Sequence, residues 1–142
     1  MATSNAATTY LENKLLAYIF KNDSGSFASP GDSIYVGLAT AVSDAEAGTL
    51  TEANFGAYAR QQVTAANWTL ASSSTDTQTI TNANNIEYSA STGTNNTVTH
   101  AFIADAASSG NILFVGALDA SKTIETGDIF RINAGNLTIE LK

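Results

Sequence analysis

The chain has 142 residues, with 13 acidic and 6 basic side chains and a net charge of −7, and it has no cysteine. That length suits one domain with a real core. The charge argues against nucleic acid and anionic membranes as partners, and the absence of cysteine excludes disulfides and thiolate chemistry. Charged residues are only 13% of the chain, about half the usual share, so Ser, Thr and Asn must supply the polar surface.

Met1 to Thr8 is small and polar and reads as a flexible arm, with neither a basic nor an apolar signal-peptide region. Thr9-Tyr10-Leu11-Glu12 has the form of a capping box. Leu11, Leu15, Tyr18 and Ile19 follow at helical spacing. These signals predict a helix over about 10–21, ended by Asn22-Asp23-Ser24-Gly25. Two to three turns are marginal alone, so this helix must dock, on its own sheet or on a neighbour. The longest apolar stretch, Leu15 to Phe20, is too short to span a membrane.

The rest reads as β. After a turn at Pro30-Gly31-Asp32, Ser33 to Thr40 alternates as a strand. Ala41 to Ala57 reads as an acidic loop, Tyr58 to Ala65 as a polar strand and Trp68 to Ala71 as another. Ser72 to Gln78 is a connection. Thr79 to Ser89 is a strand broken at its asparagines. Thr97 to Ala104 and Ile112 to Leu118 flank a hairpin turn at Asp105 to Asn111. The second of these, nearly all apolar, reads as the central strand, buried on both faces. A turn is expected at Asp119 to Lys122, then short strands at Thr123 to Thr126 and Ile129 to Asn133. The last strand, Leu137 to Lys142, places Leu137, Ile139 and Leu141 on one face and is expected at a sheet edge, where another chain can pair. About eight short strands between Gly, Asn and Asp turns predict a mainly β fold, an antiparallel β-sandwich of jelly-roll or immunoglobulin-like type with one N-terminal helix. The domain is expected over 9–142, behind the arm at 1–8.

Little in the sequence points to catalysis. His100 is the sole histidine. It reads as structural, and a catalytic role would need a nucleophile and an orienting carboxylate, for which Asp105 carries no signal. Asp44, Glu46 and Glu52 read as a solvated loop, since they lack the ligand spacing of a calcium loop. Gly110 precedes a strand rather than a helix and makes no phosphate cradle. No catalytic residue, metal site or cofactor is expected. Trp68, the only tryptophan, and Tyr88 are candidate sugar contacts, although packing is the simpler role for both. Asn22, Asn67, Asn95 and Asn136 match the glycosylation pattern and read as chance matches in an Asn- and Thr-rich chain. The candidate subunit contacts are Leu11, Leu15, Tyr18 and Ile19 on the helix and Leu137, Ile139 and Leu141 on the last strand.

Three stretches, in order, carry a resemblance. Leu11-Glu12-Asn13-Lys14-Leu15-Leu16 leads to Ile34-Tyr35-Val36-Gly37-Leu38-Ala39-Thr40. Gly56-Ala57-Tyr58-Ala59-Arg60-Gln61-Gln62-Val63 follows. Thr97 to Ala106 then runs through Gly110 to Leu118 and on to Gly127 to Ile132 and Ala134 to Ile139. This order resembles small virion proteins of tailed bacteriophages, of tail-fibre-like or virion-structural type, from the helix onward. The resemblance implies a non-enzymatic β domain on a phage particle, assembled in the host cytoplasm, and supplies no catalytic residues. Within it, the lack of a repetitive stem or heptads favours an exterior capsid decoration (cement) protein, a homo-oligomer such as a trimer, bound to the major capsid protein. The alternatives are a tail-fibre or tail-tip protein that binds other tail proteins and a cell-surface carbohydrate, and a polysaccharide-degrading enzyme.

Overall fold

A computed structural model describes residues 5–22, 34–71 and 78–141. The expected turn at Pro30-Gly31-Asp32, the connection at 72–77 and the arm's first four residues lie outside the described residues. Among the described residues the fold is mainly β, with one α-helix and a short 3-10 helix at Ala65–Asn67. The elements are β1 (Ala6–Ala7), α1 (Thr9–Lys21), β2 (Tyr35–Asp44), β3 (Thr49–Glu52), β4 (Gln61–Gln62) and β5 (Trp68–Leu70). They continue with β6 (Gln78–Asn82), β7 (Ile86–Glu87), β8 (Asn96–Ala104), β9 (Ile112–Ile124), β10 (Arg131–Ile132) and β11 (Thr138–Leu141). All pairings are antiparallel. The largest sheet has the order β1-β9-β8-β2-β3, with β4 also on β2. β11-β6-β5 and β10-β7 form two smaller sheets.

Alternation along β2 divides the apolar residues between two cores. Val36 and Leu38 join Phe55, Val63, Ile86, Tyr88, Val98, Ala101, Ile124 and Phe130 in the larger one, beneath the small sheets. Ala39 joins Phe102, Ala104 and Val115 in the smaller one on the other face. This is the expected sandwich-like arrangement with an N-terminal helix.

The local departures have physical causes. Ala41 to Ala57 is not all loop. β2 runs on to Asp44 and turns back as β3, pairing Val42 with Leu50. The Asp44 carboxylate accepts from the Ala47 amide at 3.1 Å, and Gly48 takes φ +68°, a conformation that suits glycine. The described part of the arm, from Asn5, is tied to β9. Ala6 and Ala7 pair with Val115 and Phe114, and the Asn5 side chain accepts from the Ala117 amide at 2.6 Å. β9 is flanked by the two-residue β1 on one side and lies near the sheet edge. β2 and β8 are the central strands instead, and Phe114 and Gly116 on β9 are only half-buried.

The turn expected at Asp119 to Lys122 does not end β9. Val98 pairs with Lys122 and His100 with Ala117, so the intervening residues bulge out while the strand continues. The same irregularity brings Val98 into one core with Ala101, three residues away. Of the expected Tyr58 to Ala65 strand only Gln61 and Gln62 pair.

Gly37 sits opposite Phe102 in the β2–β8 register. The Phe102 ring lies where a Cβ at Gly37 would project, so the residue must lack a side chain. Gly37→Ala is therefore expected to cost about 1–3 kcal/mol of stability, as overpacking does. Adding Phe102→Leu should recover part of that loss. A double-mutant cycle in chemical denaturation checks it, and additive losses would refute the contact.

Candidate functional site

The helix is the feature that the rest of the fold does not use. Its root is fixed. Thr8 is buried, and its hydroxyl donates to the Ile112 carbonyl at 2.6 Å while accepting from the Leu11 amide at 3.4 Å. The Thr9 amide donates to the Glu46 carbonyl at 2.8 Å. The N-cap is thus Thr8, one residue before the expected capping box, because Thr8 reaches β9 and the helix N-terminus together. Asn22 closes the other end in the left-handed region, φ 51°.

Between these ends no helical residue is buried. Leu11, Lys14 and Ala17 are half-covered. Leu15, Leu16, Tyr18, Ile19 and Phe20 are exposed, Phe20 at 76%. The helix meets the chain's own sheet at β9, but among the described residues that contact buries none of the Leu11, Leu15, Tyr18 and Ile19 face. Leu15, Tyr18 and Ile19 are exposed together with Leu16 and Phe20, two residues that the helical spacing of Leu11, Leu15, Tyr18 and Ile19 did not include. Their signal was present in the apolar run Leu15 to Phe20.

Among the described residues the last strand is an edge strand, paired only through β6, with Ile139 opposite Ile80. Its three candidate residues divide. Leu137 packs against the large core, Ile139 is half-buried, and Leu141 is 57% exposed. Leu70, across the same sheet at 71% exposure, adds to this second apolar patch.

The sugar-contact candidates are drawn inward. Tyr88 is 1% exposed, and its hydroxyl donates to the Val36 carbonyl at 2.8 Å. It therefore presents no surface to a ligand. Trp68 is half-buried against the large core, and its indole N–H donates to the Val63 carbonyl at 3.3 Å. His100 Nδ1 lies 2.7 Å from the adjacent Thr99 hydroxyl, and burial pushes its pKa below the ordinary value. Asp105 does not orient it. Its carboxylate accepts from the Asn111 amide and side chain at 2.7 and 2.8 Å and closes the β8–β9 turn. Among the described residues no three acidic or histidine side chains gather as a metal site, and no helix is long and apolar enough to cross a membrane.

Sequence reasoning missed a polar cluster under an open groove of about 670 Å³ between the β3–β4 loop and the β8–β9 turn. Arg60 makes a two-pronged pair with Glu52, Nε to Oε1 at 2.8 Å and Nη2 to Oε2 at 2.9 Å. Its Nη1 donates to the Ala106 and Ser109 carbonyls at 2.9 and 2.8 Å. The guanidinium lies 5.0 Å from the Phe102 ring centroid, a cation–π distance. Tyr58 Oη donates to Glu52 Oε1 at 2.8 Å and accepts from the Leu38 amide at 3.0 Å. Burial pushes the Glu52 carboxyl up, but the Arg60 and Tyr58 hydrogen bonds and the Arg60 charge outweigh it, and its pKa falls below the ordinary value. Burial raises the Tyr58 phenol, and the bond to Glu52 adds to that rise. With Arg60 committed to Glu52 and to two carbonyls, this cluster is a clamp between two loops. The tetrad is scattered over Glu52, Tyr58, Arg60 and Phe102, with no spacing that marks it.

The described residues thus make a β-rich structural module, with its polar clusters spent on holding loops and its helix turned outward. A family model described as "Podophage GP4 fiber I protein gp80" matches residues 6–140, and the chain belongs to that family of phage fibre proteins. It is a virion structural protein by that membership. No curated protein matches the chain.

Because the folded Glu52 pKa is lowered, its stabilising effect is present above the ordinary value of 4.5 and is lost as pH falls through the folded value. Glu52→Gln is expected to cost about 1.5–3 kcal/mol at neutral pH, the usual range for hydrogen bonds to a charged group. Denaturant unfolding across pH should show the gap between the two proteins closing in acid, because protonated Glu52 resembles Gln. A gap independent of pH would refute the charged clamp.

Proposed function

We propose that this chain is a non-enzymatic structural subunit of a phage tail fibre, joined to other tail proteins and to copies of itself through apolar surfaces. The observation that carries the reading is the fibre-family match over 6–140. It favours the tail over the capsid decoration that the missing stem suggested, because the family is described by a fibre and not by a capsid role. The outward helix supports an assembly role, since apolar surface held away from a protein's own core marks an interaction site. A sugar-binding role gains no support from Tyr88, which is enclosed, or from Trp68, whose indole N–H is already bonded.

A short fibre subunit needs no stem of its own if its neighbours supply one. Its contribution is a rigid β body, with loops tied by Arg60 and Asn82, on which contact surfaces are held in fixed directions. Asn82 shows how this is done without charge. It is 1% exposed, its side chain donates to the Asn84 and Asn133 carbonyls at 2.8 and 3.0 Å, and it accepts from the Leu137 amide at 2.9 Å.

Gold-labelled antibody against the chain is expected to mark the tail in images of whole particles. Particles lacking the chain should lose fibre density while their heads keep their resistance to heat. Label spread over the head, with heads weakened by the deletion, would overturn the fibre reading in favour of capsid cement.

A further inference from the structure

The groove between the β3–β4 loop and the β8–β9 turn is walled by two segments distant in the chain. Each wall holds a backbone geometry that most residues avoid. Ala57 takes φ 69° and Ser109 takes φ 53°, although neither is glycine or asparagine. Such residues persist only where their surroundings hold them. The Ala57 wall is held through Gly56, whose amide donates to the Gly93 carbonyl at 2.6 Å and whose carbonyl accepts from the Thr92 amide at 3.1 Å. The Ser109 wall is held by Arg60, whose Nη1 reaches the Ser109 carbonyl from a side chain only 6% exposed. Strain of this kind gathers at ligand clamps, and here two strained residues line one groove.

The groove also has hydrogen-bonding groups to spare. The Asn54 side-chain oxygen accepts from Asn96 at 2.9 Å, but its nitrogen has no partner among the described residues, and neither have the Ser108 and Ser109 hydroxyls. Oε2 of the half-buried Glu52 accepts one bond, from Arg60, and a carboxylate oxygen has room for a second. Ala57, Ala107 and Tyr58 supply apolar surface on the same walls. Glu52 and Arg60 cancel in charge, and no other charged residue lines the groove.

This chemistry suits an uncharged ligand with hydroxyls around an apolar ring. Arg60 spends four N–H bonds on Glu52 and two carbonyls, so it has no fork left for a phosphate or carboxylate. The net charge of −7 disfavours an anion further. A peptide added as a strand needs free backbone groups. Here the Asn54 and Phe55 amides are bonded to Asn96, and the Gly56 and Tyr58 amides to carbonyls. We infer that this groove is a binding site for a neutral saccharide, with Asn54, Glu52, Ser108 and Ser109 bonding its hydroxyls and Ala57 and Tyr58 against its carbon face. Its volume of about 670 Å³ lies within the roughly 300–1,000 Å³ of small-molecule sites. One open site binds weakly, and a particle carrying many copies gains from simultaneous attachment. The site is separate from Trp68 and Tyr88, and it goes beyond the structural role, which does not require the groove to be filled.

The test is amide proton–nitrogen NMR of the intact chain. The probes are the methyl glycosides of glucose, galactose, mannose, rhamnose and N-acetylglucosamine, with glucuronate as the charged comparison. Titration to about 50 mM covers binding much weaker than a Kd of ~1 mM. At least one neutral sugar is expected to shift the amides of 54–58 and 107–109, and glucuronate is expected to leave them in place. Asn54→Ala/Ser108→Ala, at two exposed positions, should keep the parent's circular dichroism and bind at least tenfold more weakly. Leu70→Ser, in the separate sheet, should bind as the parent does. Three results would each overturn the inference: no shift with any of these sugars, shifts lying outside the two walls, or undiminished binding by a folded double variant. Equal shifts with glucuronate would overturn the choice of a neutral ligand. All of these leave tail labelling of particles untouched, so the two proposals fail separately.

Discussion

The structure depends on how β2 completes its hydrogen bonds where its outer neighbour is interrupted. On that side β3 pairs with residues from Ala39 onward, and β4 pairs only with Tyr35 and Val36. Across the gap, the Leu38 amide donates to the Tyr58 hydroxyl at 3.0 Å and the Leu38 carbonyl accepts from the Ala53 amide at 2.8 Å. One layer further in, the Tyr88 hydroxyl meets the Val36 carbonyl. Buried backbone groups without partners are costly, so two phenols do here what a continuous strand would do. Their rings are stacked, with centroids 6.0 Å apart, and Phe55 and Phe130 meet them edge-on at 5.2 and 5.8 Å. This aromatic row joins the central strand to the short strands and loops above it, and Glu52 and Arg60 hold its outer end.

That arrangement explains how so few charges suffice. Side-chain amides and hydroxyls replace ladder hydrogen bonds where strands break. Asn96 accepts from the Asn54 and Phe55 amides at 2.6 and 2.9 Å, and Asn85 accepts from the Ala134 amide at 2.9 Å. Each such bond is worth about 0.5–1.5 kcal/mol net, and none depends on salt as exposed ion pairs do. The Arg131–Glu87 pair, about half exposed on both sides, adds little by comparison. The ties that hold this body together are therefore mostly ones that salt does not screen.

Local pattern made several elements legible. The helix followed from its spacing, and the β8–β9 hairpin from two apolar runs around Asp105 to Asn111. The short strands at 68–70, 86–87 and 138–141 followed from alternation between asparagine-rich turns. β3 was hidden because Thr49 to Glu52 has almost no apolar content and exists only through its pairing with β2. β9 was cut short because Asp119 to Lys122 has turn composition, and a bulge uses such residues without ending the strand. Ala6 and Ala7 carry no pattern at all, and the edge of β9 makes them a strand.

Sequence alone determined what is local and periodic: the helix and its apolar residues, the mainly β character and most strand positions. These follow from side-chain spacing against the 3.6- and 2-residue repeats. Tertiary structure alone decided which way the helix faces, because that is set by Thr8 reaching across more than 100 residues of chain to the Ile112 carbonyl. It also decided that Tyr88 serves the core and that Glu52, Tyr58, Arg60 and Phe102 form one clamp. Contacts between residues distant in the chain have no period, so no spacing announces them.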